Sequence, residues 1–394
     1  MALRSFFPST LWNLTSLLCA LFFSGAIPAR AQTETILYSF TGGSDGSAPS
    51  ALVRRGDKLY GTTPNGGASG NGTVFQISTS GKEKLVHSFN GSDGQYPIGA
   101  LILDKEGNLY GATGTGGAYD AGTVFTISPS GVEKVLYNFT GGNDGGGPGG
   151  PLVFDKAGNI YSATKGGGAY AYGTVFKLTP SGEETVLYSF TGGADGGGPN
   201  GGLAIDSKDN LYGTAFEGGE HFGLCAPYCG VVFSVSSSGT ETVLYAFDGQ
   251  EMEGFGPTSG LVRDKAGNLY GTTEQGGAND EGALYEVTPS GSESVLFSFG
   301  TGSDGYYPDA PLILDKNGYL YGTTSLNYGD GPLHYGVIFE LIDTWDYIVL
   351  YSFQPPPDGL YPQTALTFGT KGRLYGTTSQ GGVYGYGTVF ELTP

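Results

Sequence analysis

The side chains best suited to chemistry in this sequence are two of its three histidines, His221 and His334. Each lies in a Gly-rich stretch that also carries carboxylates, and a histidine beside a carboxylate can act as a general acid or base or help to bind a metal ion. The other candidate binding residues come from the same or neighbouring loops and are Tyr228, Glu251, Glu253, Phe255, Asp280, Glu281, Tyr328, Asp330 and Tyr335.

Other chemical signatures are few. The sequence has no nucleophile elbow, no phosphate-binding loop and no His-Glu-x-x-His metal motif. Cys225 and Cys229 lie four residues apart in one loop, and in an exported chain we expect them to form a disulfide. Zinc ligation by these cysteines together with His221 is the alternative.

The acidity of the chain limits its partners. The formal net charge is −19 at pH 7, from 18 basic and 37 acidic residues. Such a surface repels phosphate backbones, which excludes a general nucleic-acid binder. The same acidity keeps an exported protein soluble and attracts cations.

The candidate residues belong to seven copies of one unit of about 51 residues. Segments that resemble Leu-Tyr-Ser-Phe, Leu-Tyr-Gly and Gly-Thr-Val-Phe each occur seven times. One unit shows four short strands, separated by turns and a Gly-rich loop, at residues 150–155, 160–164, 174–179 and 184–190. Four antiparallel strands repeated radially predict an all-β, seven-bladed β-propeller with almost no helix.

The ends of the repeat array predict how the ring closes. Residues 34–40 have the sequence of a fourth strand, whereas residues 387–393 have that of a third strand. Pairing the N-terminal strand into the last blade would complete that blade and remove an open sheet edge. We therefore expect residues 32–394 to form a single propeller domain, and we expect it to be a monomer.

Residues 1–31 have the layout of a secretory signal peptide. Arg4 precedes an apolar stretch over residues 11–23, and Ala29-Arg30-Ala31 forms a cleavage site of the small-x-small type. An uncleaved membrane anchor is the alternative, although the apolar stretch is short for a spanning helix. No second apolar span follows, so we expect no membrane span after cleavage and a secreted or periplasmic protein.

An acidic-Gly-x-x-Pro motif follows the fourth strand in every unit. We expect a structural role for it, because a carboxylate can accept backbone N–H groups, Gly permits a tight turn and Pro fixes the chain direction. Ca²⁺ binding is the alternative, although one acid in each loop is few for a Ca²⁺ site. The acids of this motif are Asp45, Asp93, Asp144, Asp195, Glu253, Asp304 and Asp358.

Three neighbouring blades depart from the regular repeat. Blade 4 has a long insertion with His221 and both cysteines, blade 6 has an unusual loop over residues 327–335, and the loop into blade 5 is irregular. Departures from a repeat are better candidates for function than its regular positions, so we expect a ligand at blades 4–6. Loop variation without a function is the alternative. His87 replaces a repeated tyrosine, and we expect it to be a satisfied strand residue.

The repeat resembles the GloVer (Gloeo/Verruco) tandem-repeat family of exported bacterial proteins. The matching segments are Gly-Asn-Leu-Tyr-Gly at 107–111 and 267–271, Gly-Thr-Val-Phe at 122–125 and 173–176, and Leu-Tyr-Ser-Phe at 187–190. The resemblance covers nearly all of residues 34–394 and implies a repeat fold and export, with no settled activity. Family members carry C-terminal anchors, and this sequence departs from that pattern after Pro394.

Two functions are compatible with these features. The first is a non-enzymatic binding or surface-associated propeller, with carbohydrate or other cell-surface material as its ligand. Aromatic residues in the Gly-rich loops favour a sugar, and they are Tyr96, Tyr119, Tyr170, Tyr172, Tyr306, Tyr307, Tyr361, Tyr384 and Tyr386. The second is a hydrolase or lyase in which His221 or His334 acts with a loop carboxylate, with or without a metal ion.

Overall fold

The computed structural model describes residues 32–219, 225, 228–249, 253–326, 335–342 and 346–393. Over these ranges the chain forms strands, turns and loops without a helix, and so without a helix that could cross a membrane. Seven antiparallel sheets contain four main strands each. The predicted all-β, seven-bladed propeller is therefore confirmed, whereas the signal peptide at residues 1–31 lies outside the described residues and stays a prediction.

The sheets of blades 1 to 4 follow one another in the chain, and in each sheet neighbouring strands are sequential. The strands of blade 1 are Val53–Arg55, Lys58–Thr63, Thr73–Ser78 and Glu83–Ser88, and those of blade 2 are Gln95–Leu103, Leu109–Thr115, Thr123–Ile127 and Glu133–Asn138. The strands of blade 3 are Val153–Phe154, Ile160–Gly166, Thr174–Leu178 and Glu184–Ser189, and those of blade 4 are Ala204–Ile205, Leu211–Ala215, Val231–Val235 and Glu241–Ala246. Blade 3 has a further short strand, Gly146–Pro148, paired with its second strand.

Blades 5 to 7 repeat this order. The strands of blade 5 are Val262–Arg263, Leu269–Thr273, Ala283–Val287 and Glu293–Ser298, and those of blade 6 are Ile313–Leu314, Leu320–Thr324, Val337–Ile342 and Asp346–Ser352. The strands of blade 7 are Thr367–Phe368, Leu374–Thr378, Thr388–Thr393 and Thr33–Ser39. Two short pairs lie in the loops, Gly254–Phe255 with Gln275–Gly276 and Gly359–Leu360 with Gln380–Gly381.

The N-terminal strand closes the ring as the sequence predicts. Thr33–Ser39 pairs antiparallel with Thr388–Thr393, with Thr33 opposite Thr393 and Ser39 opposite Thr388. Blade 7 thus obtains its fourth strand from the other end of the chain. This pairing covers the edge that the third strand would otherwise leave open.

Repeated phenylalanines form the core between blades. Phe139 follows the fourth strand of blade 2 and packs edge-to-face on Phe176 of blade 3, with ring centroids 5.1 Å apart. Both side chains are fully buried, and the same type of pair joins most other neighbouring blades. The Gly of each Leu-Tyr-Gly segment makes room for such a ring, since a Cβ at Gly111 would lie 2.6 Å from Phe125. The aromatic and glycine positions of the repeat therefore follow from packing between blades.

The acidic-Gly-x-x-Pro motif organises the loop after each fourth strand. In the loop into blade 1, Asp45 accepts the backbone N–H of Thr41 at 2.8 Å and the hydroxyl of Tyr38 at 3.0 Å. Gly46 then takes a φ of +96°, which favours glycine. Asp144, Asp195 and Asp358 make the same contacts in their own loops. These contacts give the motif the structural role that we expected for it.

The first strands of the blades surround the channel of the propeller. In the link between blades 7 and 1, the hydroxyl of Thr377 donates to the carbonyl of Ser50 at 3.1 Å, and that of Thr367 donates to the carbonyl of Leu52 at 2.5 Å. Loops after the second and fourth strands open on one end of the channel. We call this end the loop face.

Candidate functional site

Three positions in each blade lie on the loop face close to the entry to the first strand, and we call them together the channel mouth. They are the residues immediately before and after the motif proline and the residue that follows the five-residue Leu-Tyr-Gly-x-x-like segment of the second strand. The first and third positions are joined by backbone hydrogen bonds, such as Ser325 N–H to the Tyr307 carbonyl at 3.0 Å and Ser379 N–H to the Tyr361 carbonyl at 3.1 Å. These bonds hold the first and third positions of a blade next to each other.

The residue before the motif proline adopts a left-handed backbone in every blade. Gly fills this position three times and Ala48 once, but Tyr96, Tyr307 and Tyr361 adopt it with φ values of +60°, +56° and +59°. A tyrosine in this conformation costs about 1 kcal/mol or more and persists where the ring has a use. Three aromatic rings are thus held at the channel mouth at a conformational cost.

An aromatic cavity of about 250 Å³ lies at blades 4 and 5 of this mouth. Phe216 follows the second strand of blade 4 and stacks on Tyr228, with ring centroids 5.3 Å apart and an interplanar angle of 30°. Tyr228 is 51% exposed. The residues that line the cavity are Phe216, Cys225, Tyr228, Phe255, Gly256, Glu274 and Gln275.

A disulfide holds the wall of the aromatic cavity. Cys225 and Cys229 are bonded with an S–S distance of 2.01 Å, and both are buried. Tyr228 N–H donates a hydrogen bond to the Cys225 carbonyl at 2.7 Å. Gly256 N–H then donates to the Cys229 carbonyl at 3.1 Å, which fixes the blade 4 loop against the loop into blade 5.

A carboxylic acid with an altered pKa lies between blades 5 and 7. Asp309 follows the motif proline of blade 6, and burial, followed by the charge of Glu274, raises its pKa from 3.8 to about 6. Its Oδ1 is shielded from solvent and accepts no hydrogen bond from the described residues. Its Oδ2 lies 3.5 Å from Nε2 of Gln363 in blade 7. Asp309 is therefore able to hold a proton near neutral pH.

A second, polar cavity of about 290 Å³ continues the mouth to blades 6 and 7. Ser379 Oγ lies 3.3 Å from Gln363 Oε1, so the amide is held between this hydroxyl and Asp309. The cavity is lined by Ser325, Leu326, Tyr361, Gln363, Ser379 and Gln380. Asp309 therefore lies near Glu274, which borders the aromatic cavity, and contacts Gln363, which borders the polar cavity.

The sequence-predicted site residues separate into three groups. Tyr228 and Phe255 meet in the aromatic cavity. The second group has structural contacts, described below, and consists of Glu253, Asp280, Glu281 and Tyr335. His221, Glu251, Tyr328, Asp330 and His334 lie outside the described residues, so a role for them stays a prediction.

Glu253 takes over the role of the repeated aspartate. It comes one residue later than the motif acid of a regular unit. Its longer side chain nevertheless accepts the hydroxyl of Tyr245, and its other oxygen lies 3.5 Å from the backbone N of Asp248. The irregular loop into blade 5 therefore keeps the contact between acid and tyrosine that regular blades make.

Asp280 and Tyr335 are also parts of the scaffold. Asp280 accepts the N–H of Gly276 at 3.3 Å, as Asp120 accepts that of Gly116 at 3.1 Å in blade 2. Glu281 is half-buried, and its carbonyl accepts the N–H of Tyr307 at 3.1 Å. Tyr335 is 8% exposed and packs in the core between blades 6 and 7.

The loop tyrosines also divide by environment. The ring of Tyr172 covers Gly192 and that of Tyr386 covers Gly42, where a Cβ would lie 2.5 Å and 2.7 Å from the ring. Tyr306 is buried, whereas Tyr119 and Tyr170 are about 60% exposed. Of the loop tyrosines, Tyr96, Tyr307 and Tyr361 belong to the channel mouth.

Sequence reasoning missed Phe216, Glu274, Asp309 and Gln363. The available signal was the variation at two fixed repeat positions, rather than irregular loops or histidines. After the motif proline, blades 2 to 7 carry Ile98, Gly149, Asn200, Thr258, Asp309 and Gln363. At the position that follows the five-residue Leu-Tyr-Gly-x-x-like segment of the second strand, blades 1 to 7 carry Pro64, Gly114, Lys165, Phe216, Glu274, Ser325 and Ser379.

The family of this chain is identified by its repeated sequence. The Gloeobacter/Verrucomicrobia repeat family matches residues 25–226 and 225–394. The chain belongs to this family. The resemblance that the repeated segments indicate is therefore confirmed, and no protein of curated function matches the sequence of this Gloeobacter/Verrucomicrobia repeat protein.

Solved structures share the fold of this Gloeobacter/Verrucomicrobia repeat protein at low sequence identity. The extracellular domain of a hybrid two-component system from B. thetaiotaomicron is 15% identical with a TM-score of 0.57, over 92% of this chain and 41% of that one. The extracellular domain of a one-component system from the same organism is 10% identical with a TM-score of 0.54, over 87% and 38%. This chain thus spans about two fifths of their length.

A third structure has a similar size. It is a protein from Bacteroides uniformis assigned as a 6-phosphogluconolactonase, 16% identical with a TM-score of 0.51, over 84% of this chain and 89% of that one. At these identities the likeness shows the propeller fold, and the loop-face residues must be interpreted from this chain itself.

Proposed function

We propose that this chain is a secreted or periplasmic, non-enzymatic binding propeller that recognises carbohydrate at the channel mouth of blades 4 to 7. The stacked Phe216–Tyr228 pair beside the Glu274 carboxylate carries the proposal. Sugars present apolar C–H faces and hydroxyl groups, which an aromatic wall and a nearby carboxylate can contact together. Gln363, Ser379 and Tyr361 extend the same type of surface.

Location outside the cytoplasm is supported by two observations. The Cys225–Cys229 disulfide fits an oxidising compartment. Two of the proteins with a similar fold are extracellular domains. Together with the leader-like residues 1–31 of the sequence, these observations favour an exported protein that acts at or near a cell surface.

The binding experiment starts with a glycan array, with and without Ca²⁺, followed by calorimetric titration of the best ligand. Tyr228→Ala is expected to weaken binding at least tenfold, because the exposed ring supplies a wall of the cavity. Tyr170→Ala is the matched control, since Tyr170 is similarly exposed but lies in a regular loop of blade 3. Equal losses for the two variants would contradict a site at blades 4 to 7 and favour equivalent weak sites around the ring.

A hydrolase or lyase is the second candidate, and Asp309 favours it. A carboxyl with a pKa of about 6 can donate a proton to a leaving group, while Glu274 would supply the carboxylate that acts as base or nucleophile. The array ligand should then yield new reducing ends or unsaturated products. Asp309→Asn should abolish that product formation and leave binding, whereas an absence of products from the native chain would leave binding as the function.

A further inference from the structure

The fourth strands of neighbouring blades meet at the outside of the ring, and we call each meeting place a rim junction. At the junction of blades 2 and 3, the Tyr137 hydroxyl donates to Asp144 at 3.0 Å, and Glu184 of the next blade lies beside this carboxylate. The same set of three residues occurs at three further junctions, as Tyr38–Asp45–Glu83, Tyr188–Asp195–Glu241 and Tyr351–Asp358–Glu34. A rim junction is therefore normally a phenol and two carboxyl groups.

The junction of blades 1 and 2 has an imidazole in place of the phenol. His87 Nε2 lies 3.0 Å from Asp93 Oδ2, and Glu133 arrives from the fourth strand of blade 2. Over the described ranges, this is the group of three His, Cys, Asp or Glu residues whose ligand atoms all lie within 4.8 Å of one another. An imidazole nitrogen is a good ligand for transition metals, whereas a phenol that donates its proton to an aspartate is not.

The surroundings hold two of these side chains in place. The His87 ring packs edge-to-face on the buried Phe89, with centroids 4.9 Å apart. Asp93 accepts the Asn90 backbone N–H at 2.9 Å through Oδ1 and the Asn90 side-chain amide at 3.1 Å through Oδ2. The N–H groups of Asn90 orient the Asp93 carboxylate, as hydrogen-bond donors commonly orient carboxylates that bind a metal ion.

Glu133 supplies an oxygen that lacks a partner. Its Oε1 is shielded from solvent and accepts no hydrogen bond from the described residues. The equivalent oxygens of Glu184 and Glu241 at the tyrosine junctions also accept no hydrogen bond from the described residues, but at this junction an imidazole completes a set of three ligands.

We propose that His87, Asp93 and Glu133 bind one first-row transition-metal dication, preferably Zn²⁺, between blades 1 and 2. One imidazole and two carboxylates suit Zn²⁺, whereas Ca²⁺ prefers oxygen ligands alone. Ligand bonds of about 2.0 to 2.1 Å would place neighbouring ligands about 3.3 Å apart in a tetrahedron, close to the 3.0 Å between His87 and Asp93. The ion would join two blades and neutralise two adjacent acids.

The test is titration of the EDTA-treated full chain with Zn²⁺ alone, by calorimetry and by native mass spectrometry. The native chain should bind one equivalent, and Zn²⁺ should raise its thermal midpoint because it binds the folded state. His87→Tyr should lower the affinity at least 100-fold and remove the thermal shift. This variant installs the residue of the regular junctions, so it is expected to fold. Glu133→Gln should weaken binding at least tenfold.

The other two histidines provide the control. A His221→Ala/His334→Ala variant should keep the affinity and stoichiometry of the native chain for Zn²⁺. Loss of the bound Zn²⁺ in that variant, or full retention in His87→Tyr, would overturn the assignment. Tyr228→Ala should bind Zn²⁺ normally, so a failure of the carbohydrate proposal would leave this result unaffected.

Discussion

The rim junctions and the channel mouth are built from the same seven repeats in opposite ways. At the rim, most blades present the same phenol and acids in the same contacts, as in Tyr137–Asp144 and Tyr188–Asp195. At the mouth, equivalent positions carry residues as different as Lys165, Phe216 and Glu274. A contact that every blade needs for packing is repeated, whereas a surface that recognises one ligand must break the symmetry of the ring. Position in the blade therefore separates the repeated packing contacts from the variable residues of the proposed carbohydrate site.

The largest expected effect comes from removing a part of the rim. Deletion of residues 32–39 should abolish cooperative unfolding and cause aggregation, because it exposes the edge of Thr388–Thr393 and leaves blade 7 with three strands. Size-exclusion chromatography and thermal unfolding measure this effect.

The control for this deletion is a permuted chain. It carries residues 33–40 after Pro394 through Ser-Gly, which copies the length of the blade 3 turn, where Ser181-Gly182 precedes Glu183. The permuted chain should be monomeric and fold cooperatively. A deletion variant that remained monomeric with unchanged stability would show that the closing strand is dispensable, and the rim would lose its structural role in the comparison.

The next largest effect is expected at the mouth, from Asp309→Asn. Burial favours the protonated form, so the folded pKa of Asp309 is about 6, against 3.8 in the unfolded chain. Its contribution to stability is greatest below pH 4, falls as the pH rises through 6 and stays low above it. Asparagine cannot ionise, so Asp309→Asn removes the cost of ionising a buried carboxyl group. The variant should therefore be more stable than the native chain at pH 7, by up to about 3 kcal/mol.

Urea unfolding of both proteins at pH 4, 5 and 7 measures that difference, and comparison of the two removes the pH dependence that other acids contribute. Asp280→Asn is the control, because Asp280 is an exposed acid of the same face. If the free energy of unfolding changed with pH in the same way for the native chain and for Asp309→Asn, Asp309 would not hold a proton in the folded state. The acid–base interpretation of the mouth would then fail.

The smallest effect is expected from a single hydroxyl at the rim. Tyr137→Phe removes the hydrogen bond to Asp144 and should lower the free energy of unfolding by about 1 to 2 kcal/mol. The ring should still fit, since Phe297 occupies the equivalent position in blade 5. Chemical denaturation measures the loss, with Tyr170→Phe as the exposed control. Carbohydrate binding should not change. A change would show that the rim contact also affects binding at the channel mouth.

Much of the fold could be predicted because its causes are local and repeated. Each unit shows alternating strands and turn residues, and the spare N-terminal strand identifies the closing contact. The acidic motif was also predictable, since a carboxylate five residues after a strand-ending Phe has nearby N–H groups to accept, as Asp45 does.

The site could be predicted only in part, because its properties depend on the distance between blades. Burial and the charge of Glu274 act on Asp309 only in the folded ring. An irregular sequence also proved an imperfect guide: Glu253 departs from the motif and still reaches Tyr245, and Tyr335 lies in an unusual loop yet packs in the core. His87 looked like a simple substitution until Glu133 of the next blade was placed beside it.

The closing strand also determines how the ring would respond to mechanical force. Thr33 lies opposite Thr393 in an antiparallel pair, so the two ends of the domain leave from the same end of the ladder. Tension between them would load the hydrogen bonds one after another, beginning at this pair, in the unzipping direction. The seam in blade 7 is thus the point at which the propeller would open if its two ends were pulled apart.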